Sequence, residues 1–154
     1  MLFRSLMIDD NEPFVIEYNC RMGDPETEVV IPRIENDLVE LFLATSYQTL
    51  HSINLQIIDK TAVGIVAVAG GYPGEYKKGD LITGLGNNIP DDKIVFHSGT
   101  KYVGGNIVTN GGRVLVSVSF DDNTTAAAKK ASETLNGIHF ENMNYRSDIG
   151  YEFK

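Results

Sequence analysis

The chain opens with two stretches in which apolar side chains recur at alternate positions, LFRSLMI (2–8) and FVIEYN (14–19). The turn-forming residues DDNEP lie between them. Side chains of a strand alternate between its two faces, so this pattern predicts a β-hairpin with a five-residue loop. The second strand has one apolar face, and its other face carries Glu17 and Asn19.

Two short helices are predicted after the hairpin. Asp24 followed by Pro25 is typical of a helix N-cap and a first helical position, and Pro32 should end or bend that helix. A second helix is predicted from about residues 36–37. Its i, i+3, i+4 apolar positions predict one buried face, formed by Leu38, Leu41 and Phe42.

The pattern changes after about residue 46, with a junction near residues 46–58. Residues 61–70 predict a buried strand, and residues 93–102 and 105–120 predict strands joined by glycine turns. Residues 123–137 predict the clearest helix, with an N-capping residue, an alanine-rich body and a glycine at its end. The last residues, 139–154, are compatible with one more strand. Together these elements predict a mainly antiparallel α+β domain.

The composition of the chain argues against several classes of protein. The chain has 13 Lys and Arg against 21 Asp and Glu, a net charge of −8, which argues against general binding to nucleic acid. The single cysteine excludes an intrachain disulfide. The longest apolar stretch, residues 62–72, is far shorter than the ~20 residues of a membrane span. We therefore expect a soluble cytoplasmic protein with no nucleic-acid or membrane partner.

The polar face of the second strand is the first candidate site. Glu17 and Asn19 lie on one face, ~6.6 Å apart along the backbone, so their oxygens could converge on one Mg²⁺. Arg21, one step further, could contact an anion held by that metal. The alternative is a solvated polar face. Cys20 lies on the apolar side with no histidine nearby in sequence, which favours a small buried residue over a catalytic thiol.

Six ordered blocks then carry a resemblance to a known family. EYNCRMGDPETEVVIPR (17–33) resembles the signature of glycinamide ribonucleotide synthetases, the phosphoribosylamine–glycine ligases of the ATP-grasp superfamily. Five later blocks are similar in the same order: AVAGGYPGEYKKG (67–79), ITGL (82–85), FHSGTK (96–101), TNGGRVL (109–115) and YRSDIG (145–150). Met22 stands where the family commonly has Phe.

The resemblance implies an activity and an organisation. Such ligases use ATP to convert glycine to an acyl phosphate, which the amine of 5-phosphoribosylamine attacks, in de novo purine synthesis. Residues 1–46 would be the C-terminal end of an ATP-grasp domain, residues 47–58 a linker, and residues 59–154 the C-terminal domain. The chain resembles only about the last third of such an enzyme, so we expect it to be inactive alone.

The resemblance also implies roles for particular residues. Glu17 and Asn19 would bind Mg²⁺ or Mn²⁺, which bridges the ATP phosphates. Arg21 would lie beside the transferring phosphoryl group. Lys101 and Arg113, in glycine-flanked turns, would hold the 5-phosphate of the substrate, the alternative being two surface charges.

Two other functions stay open at this point. One is a non-enzymatic module that binds a metabolite or a partner. The other is a metal-dependent hydrolase using Glu17, Asn19 and Asp24, which lacks an obvious base. A hairpin separated from its parent sheet exposes a strand edge, so we expect this chain to self-associate more readily than the intact enzyme would.

Overall fold

The computed structural model describes residues 3–19, 21–86 and 90–153, and for residues 3–6 and 17–19 it describes the backbone alone. It contains the predicted N-terminal hairpin, in which strands β1 (Phe3–Asp9) and β2 (Glu12–Asn19) are antiparallel. The loop is shorter than predicted. Asp10 and Asn11 both have positive φ, 47° and 66°, as a two-residue type I′ turn requires, so the strands extend to the turn itself.

The helices after the hairpin differ from their prediction. Helix α1 is a single turn, Thr27–Val30, and residues 31–33 continue it as a 3₁₀ turn at Pro32. Glu26 is the residue at the N-cap position, so the prediction that Asp24 caps this helix is wrong. The Asp24 carboxylate instead makes a long-range contact, described below.

Helix α2 (Leu38–Ser46) begins where predicted, because Asp37 accepts hydrogen bonds from the Val39 and Glu40 amides. Its predicted buried face is found in part: Leu38 and Leu41 are half-buried, whereas Phe42 is 64 % exposed and Ala44 is the buried residue of the helix. The described residues therefore cover the apolar face of α2 at Leu38 and Leu41 only partly and leave Phe42 exposed.

The main sheet has three antiparallel strands in the order β3-β7-β4, namely β3 (Thr61–Val68), β7 (Arg113–Asp121) and β4 (Lys93–His97). Helix α3 (Thr124–Asn136) packs on one face, where the Ser117 hydroxyl donates to the Ala131 carbonyl at 3.0 Å. Asn123 caps α3 by accepting from the Ala126 amide. The core between sheet and helix includes Leu115, Leu135 and Phe140, each almost fully buried.

The second face of the sheet carries Val116, Val118 and Phe120 and is covered partly by α1. Val29 of α1 lies over Gly64 of β3: a Cβ at Gly64 would be 3.0 Å from Val29 Cγ1. The missing side chain at Gly64 lets the helix approach the sheet closely. This contact anchors the segment after the hairpin on the three-stranded sheet.

A second hairpin, β5 (Thr100–Val103) with β6 (Asn106–Thr109), extends from the end of the sheet. The predicted strand 93–102 is thus two strands, separated at Ser98 and Gly99. The predicted last strand is absent: residues 138–153, all described, contribute only isolated bridges such as Val68 with Asn144 and a final 3₁₀ turn.

Residues 47–58 return to the segment that precedes α2. The Glu35 amide donates to the Gln56 carbonyl at 3.0 Å, and the Ile58 amide donates to the Arg33 carbonyl at 2.8 Å. Across the described residues, no helix combines the length and the hydropathy that crossing a membrane requires.

At the other end of the sheet, Lys130 of α3 joins the turn before β4 to the last residue of β7. Its ammonium lies 2.7 Å from Asp92 Oδ2 and 2.9 Å from Asp121 Oδ2. This hydrogen-bonded pairing raises the pKa of Lys130 and lowers the pKa of both carboxyl groups.

Candidate functional site

A bidentate ion pair joins the segment after the first hairpin to the start of β7. Arg113 Nη1 donates to Asp24 Oδ1 at 3.0 Å, and Nη2 donates to Oδ2 at 2.7 Å. The partners are 89 positions apart in sequence. Their side chains are 41 % and 51 % exposed, so the pair lies at a surface and remains accessible to a ligand.

This pair forms part of a cavity of about 450 Å³. Four parts of the chain supply its walls: the 24–28 segment, strand β3, the glycine-rich loop at Tyr72, and the facing ends of β4 and β7. The lining residues are Asp24, Pro25, Glu28, Val66, Tyr72, Ser98, Gly99, Gly112, Arg113 and Val116. A volume of this order suits a small metabolite.

Glycines allow the backbone walls to approach each other. The Gly99 amide donates to the Arg113 carbonyl at 2.8 Å, and a Cβ at Gly99 would lie 2.6 Å from the Gly111 Cα. A Cβ at Gly112 would overlap the ring of Tyr72. Any side chain at these two positions would therefore change the wall of the cavity.

The cavity combines one guanidinium with two carboxylates. Asp24 is paired with Arg113, whereas the Oε2 atom of Glu28 is buried and meets no hydrogen-bond donor among the described residues. A guanidinium has five N–H donors, of which Asp24 uses two, so Arg113 keeps donors for a second anion. The arrangement can bind a molecule that carries both an anionic group and neutral hydrogen-bond donors.

Of the residues that the sequence assigns to the ligase site and whose side chains the structure describes, Arg113 is the one that lines this cavity; Asp24, named for the hydrolase alternative, lines it as well. Lys101 lies in β5 with an exposed side chain and is not part of the cavity wall. Arg21 is exposed, and its Nη1 donates to the neighbouring Met22 carbonyl at 3.0 Å.

The predicted metal ligands are described by their backbone alone. Glu17 and Asn19 are both in β2 and two positions apart, which places them on the same face of the strand. Their side chains, and Cys20, lie outside the described residues. Among the side chains that are described, no three His, Cys, Asp or Glu form a group able to hold a metal ion.

Sequence reasoning missed Glu28 and Tyr72 as residues of the cavity and misassigned Asp24. Asp24 lies within the GDPE turn of the first family block, and this was the available signal for it. Glu28 follows at a helix position with no distinguishing pattern. Tyr72 lies in the block 67–79, where its neighbouring glycines indicate a loop but not what the ring contacts.

The fold and the cavity together define a class: an antiparallel α+β domain whose sheet end, with a segment that precedes it, surrounds an arginine able to bind an anionic metabolite. The comparison with known families identifies which one. The family model described as phosphoribosylglycinamide synthetase, C domain, matches residues 62–152, and the chain belongs to this family.

Similar proteins extend the match to nearly the whole chain. A phosphoribosylamine–glycine ligase of Vibrio vulnificus strain YJ016 is 46 % identical over 151 residues, which cover 97 % of this chain and 35 % of the relative. A bifunctional purine biosynthetic protein of Schizosaccharomyces pombe is 45 % identical over 151 residues, 98 % of this chain and 19 % of that protein.

A solved structure shows the same fold. The crystal structure of the phosphoribosylamine–glycine ligase of Thermotoga maritima matches with a TM-score of 0.73 and 34 % identity, covering 96 % of this chain and 36 % of that one. The α+β prediction is thereby confirmed, as is the family resemblance. The chain spans about a third of the length of the ligases it matches.

Proposed function

We propose that this chain forms the C-terminal part of an ATP-dependent ligase that joins glycine to 5-phosphoribosylamine in de novo purine biosynthesis. The observation that carries the proposal is the 46 % identity to such a ligase over 97 % of the chain. The cavity around Arg113 is compatible with it, because phosphoribosylamine is a small phosphorylated metabolite. A non-enzymatic binding module is not favoured, since the relatives named above are biosynthetic enzymes.

In this proposal Arg113 binds the 5-phosphate of phosphoribosylamine. Guanidinium–phosphate contacts are charge-assisted, and one guanidinium can make two of them. Lys101 lies two positions after Gly99 of the cavity wall, so its flexible side chain would reach the phosphate from the rim. Both assignments remain predictions.

The reaction centre would lie towards β2. Glu17 and Asn19 offer a carboxylate and an amide oxygen on one strand face, the ligand types that Mg²⁺ and Mn²⁺ prefer. When bound, the ion would offset the charge of the ATP phosphates. Arg21, two positions further along the chain, would stabilise negative charge on the transferring phosphoryl group. We place the reaction in the cytoplasm.

A chimeric enzyme tests the proposal. The C-terminal 35 % of the Vibrio vulnificus ligase is replaced by this chain, and ADP formation is measured with ATP, Mg²⁺, glycine and phosphoribosylamine. We expect turnover that requires both glycine and phosphoribosylamine. An intact, folded chimera with no such turnover would contradict the proposal.

Two variants and one truncation give the chimera its controls. Glu17→Gln should raise the Mg²⁺ concentration that half-maximal turnover requires, and Arg113→Ala should raise the KM for phosphoribosylamine far more than the KM for ATP. An unchanged metal requirement, or a larger effect on ATP, would show that the corresponding assignment is wrong. The 154-residue chain alone should fold and show no turnover, because positioning of ATP supplies most of the catalysis in phosphoryl transfer.

A further inference from the structure

Glu28 is the one carboxylate of the cavity whose contacts leave an oxygen unexplained. Its side chain lies on α1 and lines the same cavity as Arg113. Its Oε2 atom is buried, and the described residues offer it no hydrogen-bond donor. A buried polar atom without a partner is costly, and such groups are uncommon in folded proteins. The site therefore gains if a ligand supplies the donor.

The neighbouring groups indicate the chemistry of that ligand. Arg113 provides a cationic end for a phosphate, and Glu28 requires an O–H or N–H group elsewhere in the same cavity. A sugar phosphate carries both, an anion and several neutral hydroxyl groups. Recognition of ribose hydroxyls by a carboxylate is a general solution, also used by dinucleotide-binding proteins.

We propose that Glu28 accepts hydrogen bonds from the ribose hydroxyls of the phosphoribosyl substrate while Arg113 binds its phosphate. This inference rests on the proposed function, and it adds a residue that binds the sugar of the substrate rather than its phosphate. Asp24, already paired with Arg113, orients the guanidinium at the other end of the cavity.

The ribose hydroxyls fit this role better than the amines of the two substrates. The amine of phosphoribosylamine must attack as a neutral nucleophile, and a carboxylate beside it would favour the protonated, unreactive form. The ammonium of glycine could pair with Glu28, but glycine would fill only a small part of a cavity of about 450 Å³. Hydroxyl groups donate without a change of protonation.

Three probes separate these contacts on the 154-residue chain. Ribose 5-phosphate reports phosphate and hydroxyl binding, ethyl phosphate reports phosphate binding alone, and glycine tests the competing amine. Binding is followed by the NMR amide shifts of Gly99 and Gly112, which line the cavity. Wild-type chain should bind ribose 5-phosphate about tenfold more tightly than ethyl phosphate, the effect of one hydrogen bond to a charged group.

Glu28→Gln should remove most of this tenfold preference and leave the affinity for ethyl phosphate unchanged. Its unfolding midpoint should stay about the same, because Glu28 is only half-buried and its buried Oε2 atom makes no hydrogen bond that the variant would lose. A purely structural residue would instead lose stability. Glu26→Gln is the matched control. It removes the same charge two positions earlier in the chain, and Glu26 does not line this cavity.

The outcomes distinguish this inference from the proposed function. If Arg113→Ala abolishes the binding of both phosphate probes but Glu28→Gln leaves the affinity for ribose 5-phosphate unchanged, the role of Glu28 alone is overturned. Glycine binding that depends on Glu28 also overturns it and assigns the carboxylate to the amine. If the phosphate probes bind without regard to Arg113, the phosphate assignment and the role of Glu28 both fail, while the ligase function, which rests on sequence identity, is tested independently by the chimera.

Discussion

Removal of the Asp24–Arg113 pair should change the stability of the chain very little. The perturbation is a double-mutant cycle with Asp24→Ala, Arg113→Ala and the combined variant. Both side chains are about half exposed, 51 % and 41 %, so water screens the two charges and solvates each of them after its partner is removed. Exposed ion pairs contribute about 0.2–1 kcal/mol even when their geometry is good.

The structure thus sets an upper limit for the coupling of about 1 kcal/mol. In a chain of this size that corresponds to a shift of the melting temperature of about 2–4 °C. Leu135→Ala provides the contrast, because this side chain is fully buried against the sheet. Truncation of a buried leucine costs about 2–5 kcal/mol.

The assay is urea denaturation of the four cycle members at two ionic strengths. The coupling free energy should fall between about 0.1 M and about 1 M salt, where the screening length drops from ~10 Å to ~3 Å. A coupling above about 2 kcal/mol that does not respond to salt would refute the reasoning, because such behaviour belongs to a desolvated pair. Arg113 would then have a structural role instead of being available to a ligand.

Three further predictions address other parts of the molecule. Lys130 lowers the pKa of Asp92 and Asp121, so its stabilising effect is present above the unfolded carboxyl pKa of about 4 and is lost as pH falls through the lower folded values. The melting temperatures of wild type and Lys130→Met should therefore differ at neutral pH and converge in acid; a difference that does not change with pH would contradict this. Gly112→Ala should displace the Tyr72 ring and so weaken the binding of ribose 5-phosphate. Gly86→Ala is the control and should not weaken it, because a Cβ at Gly86 meets nothing within 4 Å. Equal effects of the two variants would show that the cavity wall at residue 112 does not contribute to binding. The exposed apolar residues of the β1–β2 hairpin should promote self-association, which light scattering would detect at rising concentration, and a variant without the hairpin that associates equally would contradict it.

The sequence by itself determined the local elements of this protein. The alternation of apolar and polar residues predicts the N-terminal hairpin. Capping residues predict where α2 and α3 begin, at Asp37 and Asn123, and a glycine predicts where α3 ends. All of these signals act over a few positions of the chain. Six ordered motif blocks also indicated the family. These features are predictable because the hydrogen bonds that produce them join near neighbours in the chain.

The tertiary structure alone decided what the predicted residues contact. Asp24 matches a helix cap in sequence, yet its partner is a guanidinium 89 positions away. Phe42 has the spacing of a buried helix face, but the described residues do not cover it. Val29 of α1 approaches the sheet closely at Gly64, and the neighbouring Glu28 lines the same cavity as Arg113. Such contacts depend on the packing of segments distant in sequence, which local periodicity and propensity do not encode.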